Sequence, residues 1–468
     1  MKRGGGVMPW LPFVWAAVLG TIVAGCTLGG ASSTALALGI PIGGWWSAAG
    51  QAHGHLQLFG WGGMMVLGVG FFFLPRLRGA MLAQEALLPW ILGLLSGGLA
   101  LRLIAQLALA LDGSAPSAFG LAGSGLLELA GATLALAVLV ATSRDGPPLR
   151  QRPGLVQVLP YLVVSFSAFW LAMAANAVLV ASAAAEGAAA LPGTGDGLVV
   201  HLGLVGFLVP ISVAVSARTL PLFLWLRVPS TRSLNLAFAL FLIGLALTLW
   251  GYIGGGVRLR AVGSILEGAA FVSFAAVLQV VPIRRRSGAV PTRDPHYLRP
   301  VEWLLVPAYL WLALAGLLSI LEGAGGILSS PPIPPDVTRH ALASGFVTLL
   351  ILGMGVRMLP GFSGRRVASV GLVWATVWLG NAAALLRVIP PALAALGGAA
   401  LWPFGPVSAY LAISGPLGLA AVVCFGLNLW RTFGLSPGRQ PTPDASPGER
   451  TPAADRRSGA RRTERRPG

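Results

Sequence analysis

Three times along this chain a histidine is followed by Gly five residues later, an aromatic residue at the next position, and Leu-Pro at the nineteenth and twentieth. The first copy is counted from the second histidine of His53-Gly-His55-Leu-Gln-Leu-Phe59-Gly60-Trp61 and closes on Leu74-Pro75. The second runs from His201 through Gly206-Phe207 to Leu220-Pro221, and the third from His340 through Gly345-Phe346 to Leu359-Pro360. The copies start 146 and 139 residues apart. One copy would carry little weight. Three at matched internal spacing read as three related units, each offering one histidine to a common centre.

Composition says what surrounds those units. Mean hydropathy is +0.78, with 55% hydrophobic and 10% charged residues. A soluble chain of this size would carry roughly 25% charge. The net charge of +17 does not point to nucleic acid, because the arginines fall in alternate short loops and in the last stretch of the chain. That distribution is the positive-inside pattern of a polytopic membrane protein. The 15 tryptophans suit interfacial belts. Cys26 and Cys424 lie in the first and last apolar segments, so neither a structural disulfide nor a cysteine zinc site is expected. Lys2-Arg3, an apolar run and Val23-Ala-Gly-Cys26 also look like a lipoprotein signal. An uncleaved first helix fits the repeat better.

A membrane-crossing helix needs about 20 apolar residues. Twelve stretches meet this, at roughly 8–29, 54–75, 85–111, 119–142, 157–182, 198–224, 233–252, 261–282, 302–322, 338–360, 367–389 and 405–431. The expected fold is all-α: three four-helix repeats, about 8–142, 157–282 and 302–432, around a pseudo-threefold axis within a membrane domain 1–432. Arg76 and Arg78, Arg144 to Arg152, Arg227 and Arg232, Arg284 to Arg299, and Arg365-Arg366 then share one side with both termini. That side is expected to be cytoplasmic. Residues 433–468, rich in Pro, Gly and Arg, cannot bury a core and are expected to be a disordered cytoplasmic tail.

Other markers follow the repeat. Trp15, Trp170 and Trp311 recur in the first helices, each with Ala two residues on. Arg102 and Arg387 each lie 27 residues after the Leu-Pro proline, in the third helix; the second unit has Arg258 and Arg260 nearby. The fourth helix carries Gly123-Ser-Gly-Leu-Leu-Glu128 and Gly263-Ser-Ile-Leu-Glu267, whereas the third unit keeps Ser414-Gly415 and puts Gly418 in place of the acid.

Each repeat histidine opens its helix on the outer side, and twenty residues of rise put the Leu-Pro end about 30 Å away. Neighbouring second helices would thus bring His53 or His55, His201 and His340 to similar depth, where neutral imidazole is a common metal ligand. Metal ligation is expected of His55, His201 and His340, and cofactor binding of those three with His53, Arg102 and Arg387. The competing reading is that interfacial histidines anchor helix ends. Gly60, Gly206 and Gly345 would admit a flat macrocycle or allow close helix packing. The outer-face arginines suit haem propionates, Asp112 or Asp336, or simple snorkelling. Glu128 and Glu267 are functional acids by default inside a membrane, with helix-end residues as the alternative. Gln57, Gln106, Asn176, Asn381 and Gln279 would serve as donors around a ligand or as interhelical bonds. His296 sits in an Arg-rich loop and is taken as inert; Arg218 and Arg357 are expected to snorkel.

Ala52-His53-Gly-His55 followed by Phe59-Gly60-Trp61 resembles the His-x-His and Phe-Gly-aromatic motif of the NnrS family. His340-Ala-Leu342, Gly345, Leu352-Gly353-Met354, Arg357, Gly361 and Ser363-Gly364-Arg365 are similar to that family more closely, and Arg218-Thr-Leu-Pro221 to its Arg-x-x-Pro pattern. The resemblance implies a haem- and copper-associated inner-membrane protein that relieves nitric oxide and nitrosative stress. Leu56-Gln57 departs from the usual Glu-Met, and the stretch His55 to Trp61 also echoes haem–copper oxidase and nitric oxide reductase subunits. A two-haem, one-copper oxidase core needs six histidines, and only four here lie in membrane segments. One bis-histidine haem, or one haem with a poorly ligated copper, is the expected complement. Nitric oxide is the expected small ligand, a quinol or cytochrome the expected donor. Catalysis and mere handling of metal or electrons stay open. The alternatives are an electron-transfer or quinol-linked cytochrome, and a cofactor-free transporter.

Overall fold

The computed structural model describes residues 8–41, 43, 45–281, 299–328 and 333–434. Lys2, Arg3, His296 and the tail beyond Gly434 lie outside the described residues.

Long apolar runs with few charges leave the backbone only one way to satisfy its polar groups inside lipid, and the described chain is helical nearly throughout. In chain order the helices are α1 (Leu11–Ala37), α2 (Trp45–Arg78), α3 (Leu88–Asp112), α4 (Ala115–Arg144), α5 (Pro153–Ala185) and α6 (Gly193–Phe223). They continue as α7 (Thr231–Trp250), α8 (Gly256–Leu278), α9 (Arg299–Ile327), α10 (Pro335–Phe362), α11 (Val370–Leu401) and α12 (Val407–Gly434). Among the described residues eleven segments are long and apolar enough to cross a membrane, because α7 and α8 run on as one helical stretch of 48 residues. At 1.5 Å per residue that stretch is more than twice the thickness of a bilayer core, about 30 Å. It is broken at Gly256, whose φ of 78° and ψ of −178° only glycine adopts readily, and α7 and α8 pack along each other. The sequence expectation of two segments there, 233–252 and 261–282, corresponds to these halves.

The three helices carrying the repeat histidines are the innermost. About two thirds or more of the apolar window of α2, α6 and α10 is buried, against about half or less in most others. Each contains a π-helical stretch beginning one residue after its histidine: Leu56–Gly63, Leu202–Leu208 and Ala341–Thr348. The three π stretches touch one another pairwise. They mesh through small residues: a Cβ on Gly62 would stand 2.8 Å from Leu208, and one on Gly203 would stand 2.7 Å from the Phe59 ring. Trp61 Nε1 donates to Thr348 Oγ1 at 3.2 Å across the same layer.

Around that centre α1 packs on α2, α5 on α6 and α9 on α10. The remaining helices pair as α3 with α4, α7 with α8, and α11 with α12. The ring closes through α4 on α5, α8 on α9 and α12 on α1. Lipid tails are as apolar as leucine side chains, so close packing rather than water expulsion holds such helices together. Two of these junctions show how close: Gly268 of α8 crosses Gly316 of α9, where a Cβ would come within 2.4 Å of the opposite carbonyl. Gly415 of α12 meets Gly30 of α1 at the same distance.

Candidate functional site

The repeat histidine is the last α-helical residue before each π stretch. A π insertion re-aims the side chains on either side of it and recurs at functional sites. Here the imidazoles of α2 and α6 lie against α4 and α8. His55 Nε2 and Glu128 Oε2 are 2.6 Å apart, both buried. His201 Nε2 and Glu267 Oε1 are 2.9 Å apart. The acids picked out by the sequence thus bind the histidines picked out by the sequence at two of the three motif copies. In the third, where Gly418 stands in place of the acid, His340 turns to Asp336 one turn back on its own helix. Its Nδ1 is 2.8 Å from the Asp336 carbonyl oxygen and 3.1 Å from Oδ1. Arg387 Nη2 donates to Asp336 Oδ2 at 2.8 Å, one of the partners expected for it.

Arg102 is fully enclosed and takes a different role. Its Nε donates to Gln106 Oε1 at 2.7 Å and its Nη1 to Asn176 Oδ1 at 3.0 Å. Asn176 Nδ2 in turn reaches Glu128 Oε2 at 3.4 Å. Gln106 Nε2 continues to Gln51 Oε1 and the Ala189 carbonyl. A buried guanidinium and a buried carboxylate are therefore coupled through an amide, which is how two charges can share an interior without direct contact. Glu128 Oε1 has no hydrogen-bond partner among the described residues.

His53 does not join this network. Its ring lies against Gly29 of α1, and its Nδ1 bonds the Gly25 carbonyl at 2.8 Å. The four membrane histidines thus fall into two classes. His55 and His201 meet carboxylates through Nε2. His53 and His340 hold a backbone carbonyl through Nδ1 and leave Nε2 without a hydrogen bond among the described residues.

The same end of the bundle carries polar groups the sequence reading passed over. Asp196 lies within Coulombic reach of Arg339, Arg102 and His55. Glu322 reaches Thr338, Arg339, His201 and Glu267. His53 lies within reach of His340, Arg387 and Asp336. The signal for Asp196 and Arg339 was their position within one or two turns of a repeat histidine. Among the described residues no three of His, Cys, Asp and Glu stand together in a metal-holding group.

Other residues from the sequence reading are placed elsewhere. Gln57 Nε2 donates to Cys26 Sγ at 3.3 Å, and Asn381 caps carbonyls of Trp303 and Val377. Gln279 ends α8 in a left-handed conformation. Asp112 binds Ser114 and Ser117 at a helix end. Arg258 is exposed, Arg260 sits over the Tyr252 ring, and Arg357 over Phe223. Two of the repeat glycines serve packing: a Cβ on Gly345 would stand 2.5 Å from Trp311, and one on Gly206 would stand 2.9 Å from Ala168.

A family model described as NnrS protein matches residues 9–435. Among curated proteins, none matches the chain.

Proposed function

The chain belongs to the NnrS family, and on that footing we propose a multi-pass membrane protein of nitric oxide metabolism that binds haem, with copper as a second candidate. Its twelve helices read as three four-helix units, α1–α4, α5–α8 and α9–α12, around a pseudo-threefold axis. The recurrence of equivalent packing in each unit and at each junction supports this. By the arginine distribution the Leu-Pro ends and both termini face the cytoplasm and the histidine ends face outward across the inner membrane. Nitrosative-stress relief is the role this family membership fits.

The observation that carries the reading is the placement of one histidine immediately before a π stretch on each of three helices that meet at the centre. The donor chemistry fits a metal or haem iron. His53 and His340 have Nδ1 fixed on backbone carbonyls, the arrangement that orients a neutral imidazole to ligate through Nε2. His55 and His201 offer Nδ1, or Nε2 once the carboxylate yields it. Arg387 is placed to meet an anionic edge of the cofactor. Arg102, enclosed by Gln106 and Asn176, supports Glu128 instead. Bound haem supplies an iron that takes a diatomic gas and cycles one electron. Around it this chain's own residues would hold protons: Glu128 and Glu267 each face an imidazole nitrogen at hydrogen-bond distance, the geometry of a proton donor and acceptor pair.

An optical spectrum of the purified full-length protein with metal analysis tests this. A Soret band is expected, lost or shifted in His53→Ala or His340→Ala and perturbed in His55→Ala and His201→Ala. An unchanged spectrum in all four, or none in the wild type, refutes the cofactor assignment. The His55–Glu128 and His201–Glu267 pairs favour a cofactor-free, proton-handling transporter as the second reading, which the second outcome would support.

A further inference from the structure

The three central helices meet at their π stretches and part toward the Leu-Pro end. A cavity of about 120 Å³ opens between them, walled by α2, α5, α6 and α10 with Leu139 from α4. Its walls are aliphatic, aromatic and methionine side chains; the polar side chains among the lining residues are Ser212 and Arg218 alone. Val66, Val69, Phe73, Leu162 and Phe166 line it and are each partly exposed although they face inward, so the cavity communicates with the outside of the bundle.

Arg218 is the anomaly. Its Nε is sealed from solvent without a hydrogen-bond partner. The guanidinium lies over Gly154, where a Cβ would come within 2.4 Å of Nη2. Gly154 is the second residue of α5, whose first turn is already engaged: Pro153 has no N–H, and those of Leu155 and Val156 bond the Arg152 carbonyl. The guanidinium thus stands at the rim of an apolar cavity with one N–H unpaired, a placement that an anionic group entering with hydrocarbon would satisfy. Arg152, just before α5, lies over Gly79 at the end of α2. No carboxylate lines the cavity.

We propose that this cavity holds an acyl chain of an acidic phospholipid, whose phosphate is bound by Arg218. Guanidinium pairs with phosphate through two parallel N–H donors, and anionic lipid is the form in which phosphate and hydrocarbon arrive together in a membrane. A quinone would match the apolar wall, but the lining has no His, Asp, Glu or Tyr to take up the protons that quinol oxidation releases. The site is independent of the haem reading, since it lies on the far side of the π layer from the histidines.

Native mass spectrometry of the full-length protein with phosphatidylglycerol, phosphatidylcholine of the same acyl chains, and ubiquinone tests the assignment. Wild type should retain phosphatidylglycerol over phosphatidylcholine. Arg218→Gln should weaken that retention about tenfold or more, while Arg232→Gln, an exposed arginine at the start of α7, should leave it unchanged. Val69→Phe, which narrows the cavity and keeps Arg218, should also weaken it, and serves if R218Q does not fold. Equal retention by wild type and both variants, equal affinity for phosphatidylcholine, or displacement of the lipid by ubiquinone would each overturn the proposal.

Discussion

His55 and Glu128 come within 2.6 Å of each other in the interior of the bundle, both all but sealed from solvent, although 73 residues separate them in sequence. Glu128 also faces Asn176, and through it Arg102. Removing the carboxylate takes away one of the two acids, Glu128 and Asp196, within Coulombic reach of the Arg102 guanidinium. Breaking one side of a buried charge pair costs about 3–5 kcal/mol. Glu128→Gln should therefore lower the thermal midpoint of the purified protein markedly, and Glu128→Gln with Arg102→Gln should recover part of the loss. A double variant no more stable than the single one would show that the two charges are not coupled.

The glycine of each repeat invites a different measurement. A Cβ on Gly345 would stand 2.5 Å from Cγ of Trp311, within the packed interface of α9 and α10. Overpacking of this kind costs about 1–3 kcal/mol. Gly54 on α2 has nothing within 4 Å of such a Cβ. Gly345→Ala should destabilise the protein in a detergent thermal melt, whereas Gly54→Ala should be neutral or slightly stabilising, as helix propensity alone would have it. If both changes behave alike, Trp311 yields at no cost and the tight α9–α10 contact is not a constraint.

Much of this arrangement was legible in the sequence because polar residues stand out in apolar runs. His55, Glu128, His201, Glu267 and Arg102 were each visible, and Arg387 with Asp336 was among the pairings that spacing allowed. The pairing of second-helix His with fourth-helix Glu was not legible, since nothing in either helix encodes its partner. The π stretches were hidden for a related reason. The pattern of Gly at +5 and an aromatic at +6 marks their interior, but no residue type specifies the i→i+5 bond itself. Gly206 and Gly345 were compatible with a macrocycle or with close packing, and Ala168 and Trp311 occupy the space beside them. The expectation of a common centre rested on the threefold repeat and on matched depth. Neither fixes where an imidazole points, and His55, His201 and His340 each turn to a carboxylate of their own.

The break at Gly256 makes topology measurable. If α7 and α8 form a hairpin of two spans, single cysteines at Thr231 and Gln279 in a background lacking Cys26 and Cys424 should react with an impermeant thiol reagent from one side. A cysteine at Ile253, exposed between the two helices, should react from the other. Labelling of Thr231 and Gln279 positions from opposite sides would mean one span there and eleven in all. Gly256→Ala, forced to φ near 78°, should cost about 1–3 kcal/mol by backbone strain.

Asp336 separates stability from function at the third histidine. It bonds both His340 and Arg387, yet its side chain is 62% exposed, so the pairs are not enclosed within the bundle. Exposed ion pairs contribute little, about 0–1 kcal/mol, so Asp336→Asn should leave the thermal midpoint nearly unchanged. Its effect should fall instead on the orientation of His340, because the carboxylate reaches the same Nδ1 that the backbone carbonyl holds. In a haem-loaded protein the expected outcome is a shifted Soret band at unaltered stability, while Glu128→Gln lowers stability. A variant that loses stability without any spectral change would place His340 among the structural residues and leave His53 as the candidate ligand of the two.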